Sequence, residues 1–198
     1  MATQAGADAI GLVSAMPSGT GPIPEDRIAE IVRAEGARVD TFLLTAERDP
    51  ARILRQHERT GVRTLQLVNR LPAGAHQALR AVLPEVKIVQ VIHVESEESV
   101  RDALRIAPAC DALLLDTGRP HADPPELGGT GRVHDWTISR EIVKRVDLPV
   151  WLAGGLTPEN VGEAVRVVAP YGVDLCNGVR TDGDLDREKL EAFFAAVG

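Results

Sequence analysis

Aromatic side chains are scarce in this sequence, at 3% of 198 residues. The core must therefore be aliphatic, built from Val, Leu, Ile and Ala, and stacking platforms for nucleobases are not expected. Basic residues are also few. Lys and Arg number 22 against 29 Asp and Glu, a net charge of −7, which argues against a nucleic-acid partner because that needs a basic face. Cysteine occurs only at Cys110 and Cys176. Two distant thiols do not form a disulfide framework and read as reduced thiols of a cytoplasmic protein. No run of 18 apolar residues occurs, so neither a spanning helix nor a membrane partner is expected. The opening MATQAGADA lacks a basic segment followed by an apolar one, so no signal peptide is expected. A strand–GxGxxG–helix fingerprint is missing too, which counts against a dinucleotide site.

What is present is ordinary for a globular chain: 44% hydrophobic and 26% charged residues, enough for one domain over 1–198 with a sizeable core. Short apolar runs read as strands at Ala9–Ser14, Val39–Leu44, Leu65–Val68, Lys87–Val94, Ala112–Leu115, Val150–Ala153 and Val173–Cys176. Helical spacing falls between them, at Glu25–Glu35, Ala51–Thr60, Gly74–Leu83, Glu97–Ile106, Trp136–Arg145, Pro158–Val168 and Asp186–Val197. Asp49-Pro50 and Asp135 are expected caps, as is Ser96, and Glu97 and Arg101 stand at i,i+4. Strand and helix alternate seven times. That implies parallel strands with right-handed crossovers, in a (β/α) barrel or a doubly wound open sheet.

One stretch organises the chain: ALLLDTGRPHADPPELGGTG, Ala112 to Gly131. A buried strand ends on Asp116, and a long loop with three prolines and four glycines follows. A strand-end carboxylate before a glycine-rich loop is how a β/α barrel presents an acid to a substrate. The plainer reading is an Asp that caps the loop's own N–H groups. The loop 117–131 either closes over a substrate or is a solvated excursion. Two glycine-bearing turns follow later strands: Ala153-Gly154-Gly155-Leu156-Thr157-Pro158 and Cys176-Asn177-Gly178-Val179. Glycines allow backbone N–H groups to approach an anion closely, and such turns on the last two strands of a barrel form its common phosphate site. The alternative is that Gly154 and Gly155 simply fit a tight turn.

These residues resemble a known family. DTGRPHADPPELGGTGRVHDW followed by LPVWLAGGLTPENVGEAVRVVAPYGVDLCNGV is similar to phosphoribosylanthranilate isomerase. The likeness is densest over 111–198, extends to GADAIGLV, and rests on element order from Pro22 to Val94. It implies a TIM-type (β/α)8 barrel of tryptophan biosynthesis. The implied reaction is an Amadori rearrangement of an aminoaldose phosphate to an aminoketose phosphate, without metal or cofactor. It also implies that Asp116 is the general acid that protonates the furanose ring oxygen. Gly129, Gly131, Gly154, Gly155, Asn177 and Gly178 would then hold the substrate and its phosphate.

The family's KICG-type first strand, whose cysteine is the general base, has no counterpart before ATQAGADAIGLV. The expectation is therefore about seven βα units, with an incomplete barrel edge that either pairs in a homodimer or is filled by a rearranged N-terminus. Pro17–Gly21 lacks the family's Arg, Leu67-Val68-Asn69 stands where LHG is usual, and Cys176-Asn177-Gly178-Val179-Arg180 replaces SSGVE. Candidate replacement bases are His93 at a strand's C-terminal end and Cys176 beside the second turn, the latter more simply a small buried side chain. Asp174 points into the barrel or outward depending on register, and an inward Asp must find a partner. His121 and His134 flank the loop and read as solvated; Cys110 reads as structural. The principal reading is an aldose–ketose isomerase of a phosphoribosyl amine. The alternative is a divergent paralogue that acts on, or only binds, another sugar phosphate.

Overall fold

The computed structural model describes residues 1–17, 21–123, 127 and 131–198. Seven strands form one parallel sheet in sequence order: β1 (Ala9–Val13), β2 (Asp40–Thr45), β3 (Thr64–Leu67), β4 (Lys87–His93), β5 (Ala112–Asp116), β6 (Val150–Leu152) and β7 (Gly172–Val173). Helices α1 (Glu25–Glu35), α2 (Pro50–Thr60), α3 (Ala75–Val82), α4 (Glu98–Ile106), α5 (Trp136–Arg145), α6 (Val161–Val168) and α7 (Arg187–Val197) cover its outer face. The sheet is strongly curled. Phe42 on β2 meets Trp151 on β6 edge to face, with ring centroids 6.0 Å apart. Four strand spacings in a flat sheet would separate them by roughly 19 Å. The curl selects the barrel over the open doubly wound alternative.

Alternation along each strand makes two apolar layers. Phe42, Leu44, Val89, Val91, Ala112, Leu114, Trp151 and Ala153 fill the interior. Leu43, Leu65, Ile88, Leu113, Leu115 and Leu152 point outward against the helices and are essentially fully buried. The layers are aliphatic as the composition requires; Phe193 is the one aromatic side chain among the largest fully buried ones of the described residues. Gly172 is small because the Trp151 ring lies where its Cβ would be, at 2.5 Å. Among the described residues no helix is long and apolar enough to cross a membrane.

Most expected helix starts agree with the structure because the caps are present. Asp49 Oδ1 accepts from the Ala51 N–H at 3.0 Å and Asp135 Oδ1 from the Thr137 N–H at 2.8 Å. The differences are local. α4 begins at Glu98, whose N–H donates to Ser96 Oγ at 3.3 Å, and Arg101 pairs with Glu98 at i,i+3, not with Glu97. α6 begins at Val161, not Pro158, because Asn160 Oδ1 accepts the Thr157 N–H and holds residues 157–160 in a turn. β7 ends at Val173, so Asp174, Leu175 and Cys176 lie beyond it. A hairpin of β8 (Arg180–Thr181) and β9 (Asp184–Leu185) turns on Asp182 and Gly183, both at positive φ. An Asp-Gly pair is the short-range signal for such a turn.

Candidate functional site at the C-terminal rim

Strand register brings together the side chains that matter. His93 ends β4 and Asp116 ends β5, and they are direct neighbours in the ladder. Each lies two residues beyond an inward-facing position, Val91 and Leu114, so both face the interior. Asp174 follows Gly172 by two, and its N–H continues the ladder onto Leu152 O at 2.8 Å. The rim of the barrel thus carries His93, Asp116 and Asp174 above a floor of Val, Leu and Trp.

The electrostatics suit acid–base chemistry. Burial pushes the Asp116 carboxyl up to about 7, the Asp174 charge adds to this, and the Thr117 N–H opposes it. That N–H donates to Asp116 Oδ1 at 2.7 Å. Burial likewise pushes Asp174 up to about 6, against the Leu175 N–H. Both carboxyls thus lie above the ordinary carboxylate range, Asp116 higher than Asp174, so near neutrality Asp116 is the one that more readily keeps its proton. A proton donor with this value is well matched to neutral pH. The sequence left the direction of Asp174 open. The signal that settles it is Gly172, which fixes the inward phase of β7.

His93 is held in one tautomer. Its Nε2 stands 3.1 Å from Val68 O, and because a carbonyl only accepts, Nε2 carries the hydrogen. The Nδ1 lone pair is buried without a hydrogen-bond partner among the described residues. Burial lowers the imidazole's proton affinity, with Val68 and Glu95 opposing and His121 reinforcing. The ring is therefore a neutral acceptor at the rim.

The two glycine turns meet each other. A Cβ on Gly178 would lie 1.9 Å from Leu156 O, so the second turn is pressed onto the backbone of the first. Gly154 and Gly155 both have positive φ. A Cβ on Gly154 would strike Thr117 Oγ1 at 2.3 Å, and one on Gly155 would strike Arg132 O at 2.5 Å. Their small size is thus required by the arms of the loop that follows β5 as well as by any anion. Asn177 and Gly178 belong to a short 3-10 turn, Asn177–Val179, separated from β7 by three residues rather than directly following the strand. Gly131 is at positive φ. Gly129, like Thr20, lies outside the described residues. Cys176 is exposed, so the reading of a small buried side chain does not hold for it. Cys110 is half-buried against both outer apolar clusters, and burial pushes its thiol up to about 12, which fits a structural role. His134 is not a freely solvated histidine; it is half-buried, with each ring nitrogen on a hydroxyl. Among the described residues no three His, Cys, Asp or Glu side chains are grouped as metal ligands would be.

Fold and rim together define a (β/α)-barrel protein with an acid–base cluster beside paired glycine turns. A sequence profile described as N-(5'phosphoribosyl)anthranilate (PRA) isomerase matches residues 23–196. An N-(5'-phosphoribosyl)anthranilate isomerase 2 of Methanosarcina mazei is 40% identical over 195 residues, covering 98% of this chain and 85% of the relative. The Haloferax volcanii N-(5'-phosphoribosyl)anthranilate isomerase is 41% identical over 197 residues, covering 98% and 84%. Among solved structures, the phosphoribosyl anthranilate isomerase of Thermotoga maritima superposes with a TM-score of 0.82 at 26% identity, over 99% of this chain and 90% of that one. The enzyme from Thermococcus kodakaraensis superposes with a TM-score of 0.77 at 33% identity, over 96% and 88%. The chain belongs to the phosphoribosylanthranilate isomerase family.

Proposed function

We propose that this chain isomerises N-(5'-phosphoribosyl)anthranilate, an aminoaldose phosphate, to its aminoketose phosphate. The observation that carries the proposal is the placement of Asp116 at the end of β5, facing the barrel interior beside His93, where burial raises its carboxyl to about 7. Asp116 donates that proton to the furanose ring oxygen as the C1–O bond opens, leaving an iminium at C1. Loss of the C2 proton then gives an enol amine, which tautomerises to the ketone. For the C2 proton we assign Nδ1 of His93 as acceptor. Its opposite nitrogen is held on Val68 O, a carbonyl that steadies the imidazolium as it forms. Asp174, ionised at lower pH than its neighbour, adds a negative charge that favours the protonated form of Asp116. The turns around Gly154-Gly155 and Asn177-Gly178 hold the phosphate, and substrate chemistry of this kind draws on no cofactor.

The test is direct. Purified protein mixed with phosphoribosylanthranilate is expected to cause a protein-dependent decay of the substrate's fluorescence. Decay no faster than the spontaneous rate would overturn the proposal and favour the paralogue that binds another sugar phosphate.

The same proposal includes a homodimer. The sheet ends in β1 and β7, and an edge strand offers unpaired N–H and C=O groups to a second copy. Light scattering is expected to return twice the mass of one chain; a monodisperse monomer would remove the dimer and leave the enzyme reading untouched.

A further inference from the structure

Behind Asp116 runs a chain of hydrogen bonds that the chemistry above does not use. Ser139, on the inner face of α5, is fully buried. Its hydroxyl lies 2.6 Å from Nε2 of His134. The other ring nitrogen, Nδ1, lies 2.9 Å from Thr117 Oγ1. Thr117 is the residue whose N–H holds Asp116 Oδ1 at 2.7 Å. His134 also borders the first glycine turn: a Cβ on Gly154 would sit 3.1 Å from its Nδ1. One imidazole thus ties together the start of the long loop, its end, the helix that follows and the turn assigned to phosphate.

The imidazole suits this place as a neutral ring. Burial pushes its pKa down to about 4, with Asp135 opposing. A neutral ring has one donor and one acceptor, and each hydroxyl beside it can play either part, so all three groups are satisfied at once. A network anchored on the buried Ser139 and screened in part from water by the half-buried His134 and Thr117 is held in place, because a broken bond leaves a poorly solvated polar group unpaired.

We propose, on the reading of Asp116 as proton donor, that His134 is a positioning residue: through Thr117 it fixes the Asp116 carboxyl relative to the first glycine turn, and so sets the donor's place over a substrate held by its phosphate. The residue touches no reacting atom and acts only through Thr117. Placement of this kind is felt in the chemical step, where a shift of about 1 Å in a reacting group costs up to 10²-fold.

The experiment compares His134→Leu, which has no ring nitrogen, with His134→Gln, which keeps a donor and an acceptor, and with Ser139→Ala, which removes the far hydroxyl. For His134→Leu, kcat is expected to fall about tenfold with KM and the inhibition constant of inorganic phosphate within about twofold, the pattern of an interaction felt in the transition state. His134→Gln is expected to restore most of kcat, and Ser139→Ala to fall between. A second measurement needs no turnover. The infrared C=O stretch of protonated Asp116, assigned by its disappearance in Asp116→Asn, is expected to shift in His134→Leu and return in His134→Gln. An unmoved Asp116 band in folded His134→Leu or Ser139→Ala protein overturns the proposal. So does an unchanged kcat, or parallel loss in His134→Leu and His134→Gln tracking lost thermal stability. If the parent protein proves inactive, the assignment of the reaction fails, while the infrared band still decides whether His134 places the carboxyl.

Discussion

Asp116→Asn is expected to lower kcat by roughly 10²–10⁴-fold with little change in KM, because a general acid contributes that much and acts only in the transition state. Asn is nearly isosteric and its carbonyl still accepts the Thr117 N–H, so the geometry of the rim is kept. Only the proton is lost. Substrate fluorescence decay at saturating and limiting concentrations separates the two constants. A variant with parental kcat would remove Asp116 from the mechanism.

The same substitution is expected to stabilise the fold, increasingly so as pH rises. The folded state holds the Asp116 proton up to about pH 7, against an ordinary value of 3.8. The raised value means that its stability is fully present below 3.8 and is lost progressively as pH climbs to 7. In that window the unfolded chain gains free energy by ionising and the folded one does not. Asn has no proton to release. Its advantage therefore grows across the window, levels off above 7, and reaches on the order of a few kcal/mol. Denaturant titrations at about pH 4, 5.5 and 8 read this slope directly, and a difference independent of pH would contradict it. Activity and stability thus oppose each other at one side chain.

His93→Phe is the second large expectation. Phe fills the ring's space and keeps the interior packed, but it has neither the Nδ1 lone pair nor the bond to Val68 O. Loss of a positioned base costs about 10²-fold or more in turnover. The diagnostic measurement uses substrate deuterated at C2. If His93 takes that proton, the variant's isotope effect on kcat is larger than the parent's, since proton removal becomes the slow step. An unchanged rate and isotope effect would return the role of base to another group.

The architecture was legible because each strand is a short apolar run and each of the helices that begin at Pro50 and Trp136 is preceded by an Asp whose cap is actually made. Composition likewise foretold an aliphatic core. What failed was the last strand. β7 has only two residues, Gly172 and Val173, and the apolar pattern of VDLC extended it falsely. The curl that separates a barrel from an open sheet was not legible in the alternation of strands and helices, which left both open; the family resemblance alone implied it. It rests on Phe42 touching Trp151, over a hundred positions away in the chain, and no local pattern encodes that contact.

At the rim, Asp116 was readable from its strand-end position, whereas its coupling to Asp174 needed the register of β6 with β7. His134 was misread for a physical reason. A histidine beside a polar loop is solvated by default, and only the buried Ser139 and the hydroxyl of Thr117 draw it inward. Both partners are small hydroxyl residues, which carry no distinctive sequence signal.

The tight approach of Gly178 to Leu156 O has a consequence for mutational scanning of this chain. A library screened only for folded protein and a library screened for turnover would both discard side chains at Gly154, Gly155 and Gly178, since backbone or loop atoms already occupy the space. These positions are constrained by the fold and, on the proposed function, a second time by the substrate. Tolerance profiles there are expected to coincide between the two screens, whereas at Asp116 and His93 they are expected to diverge.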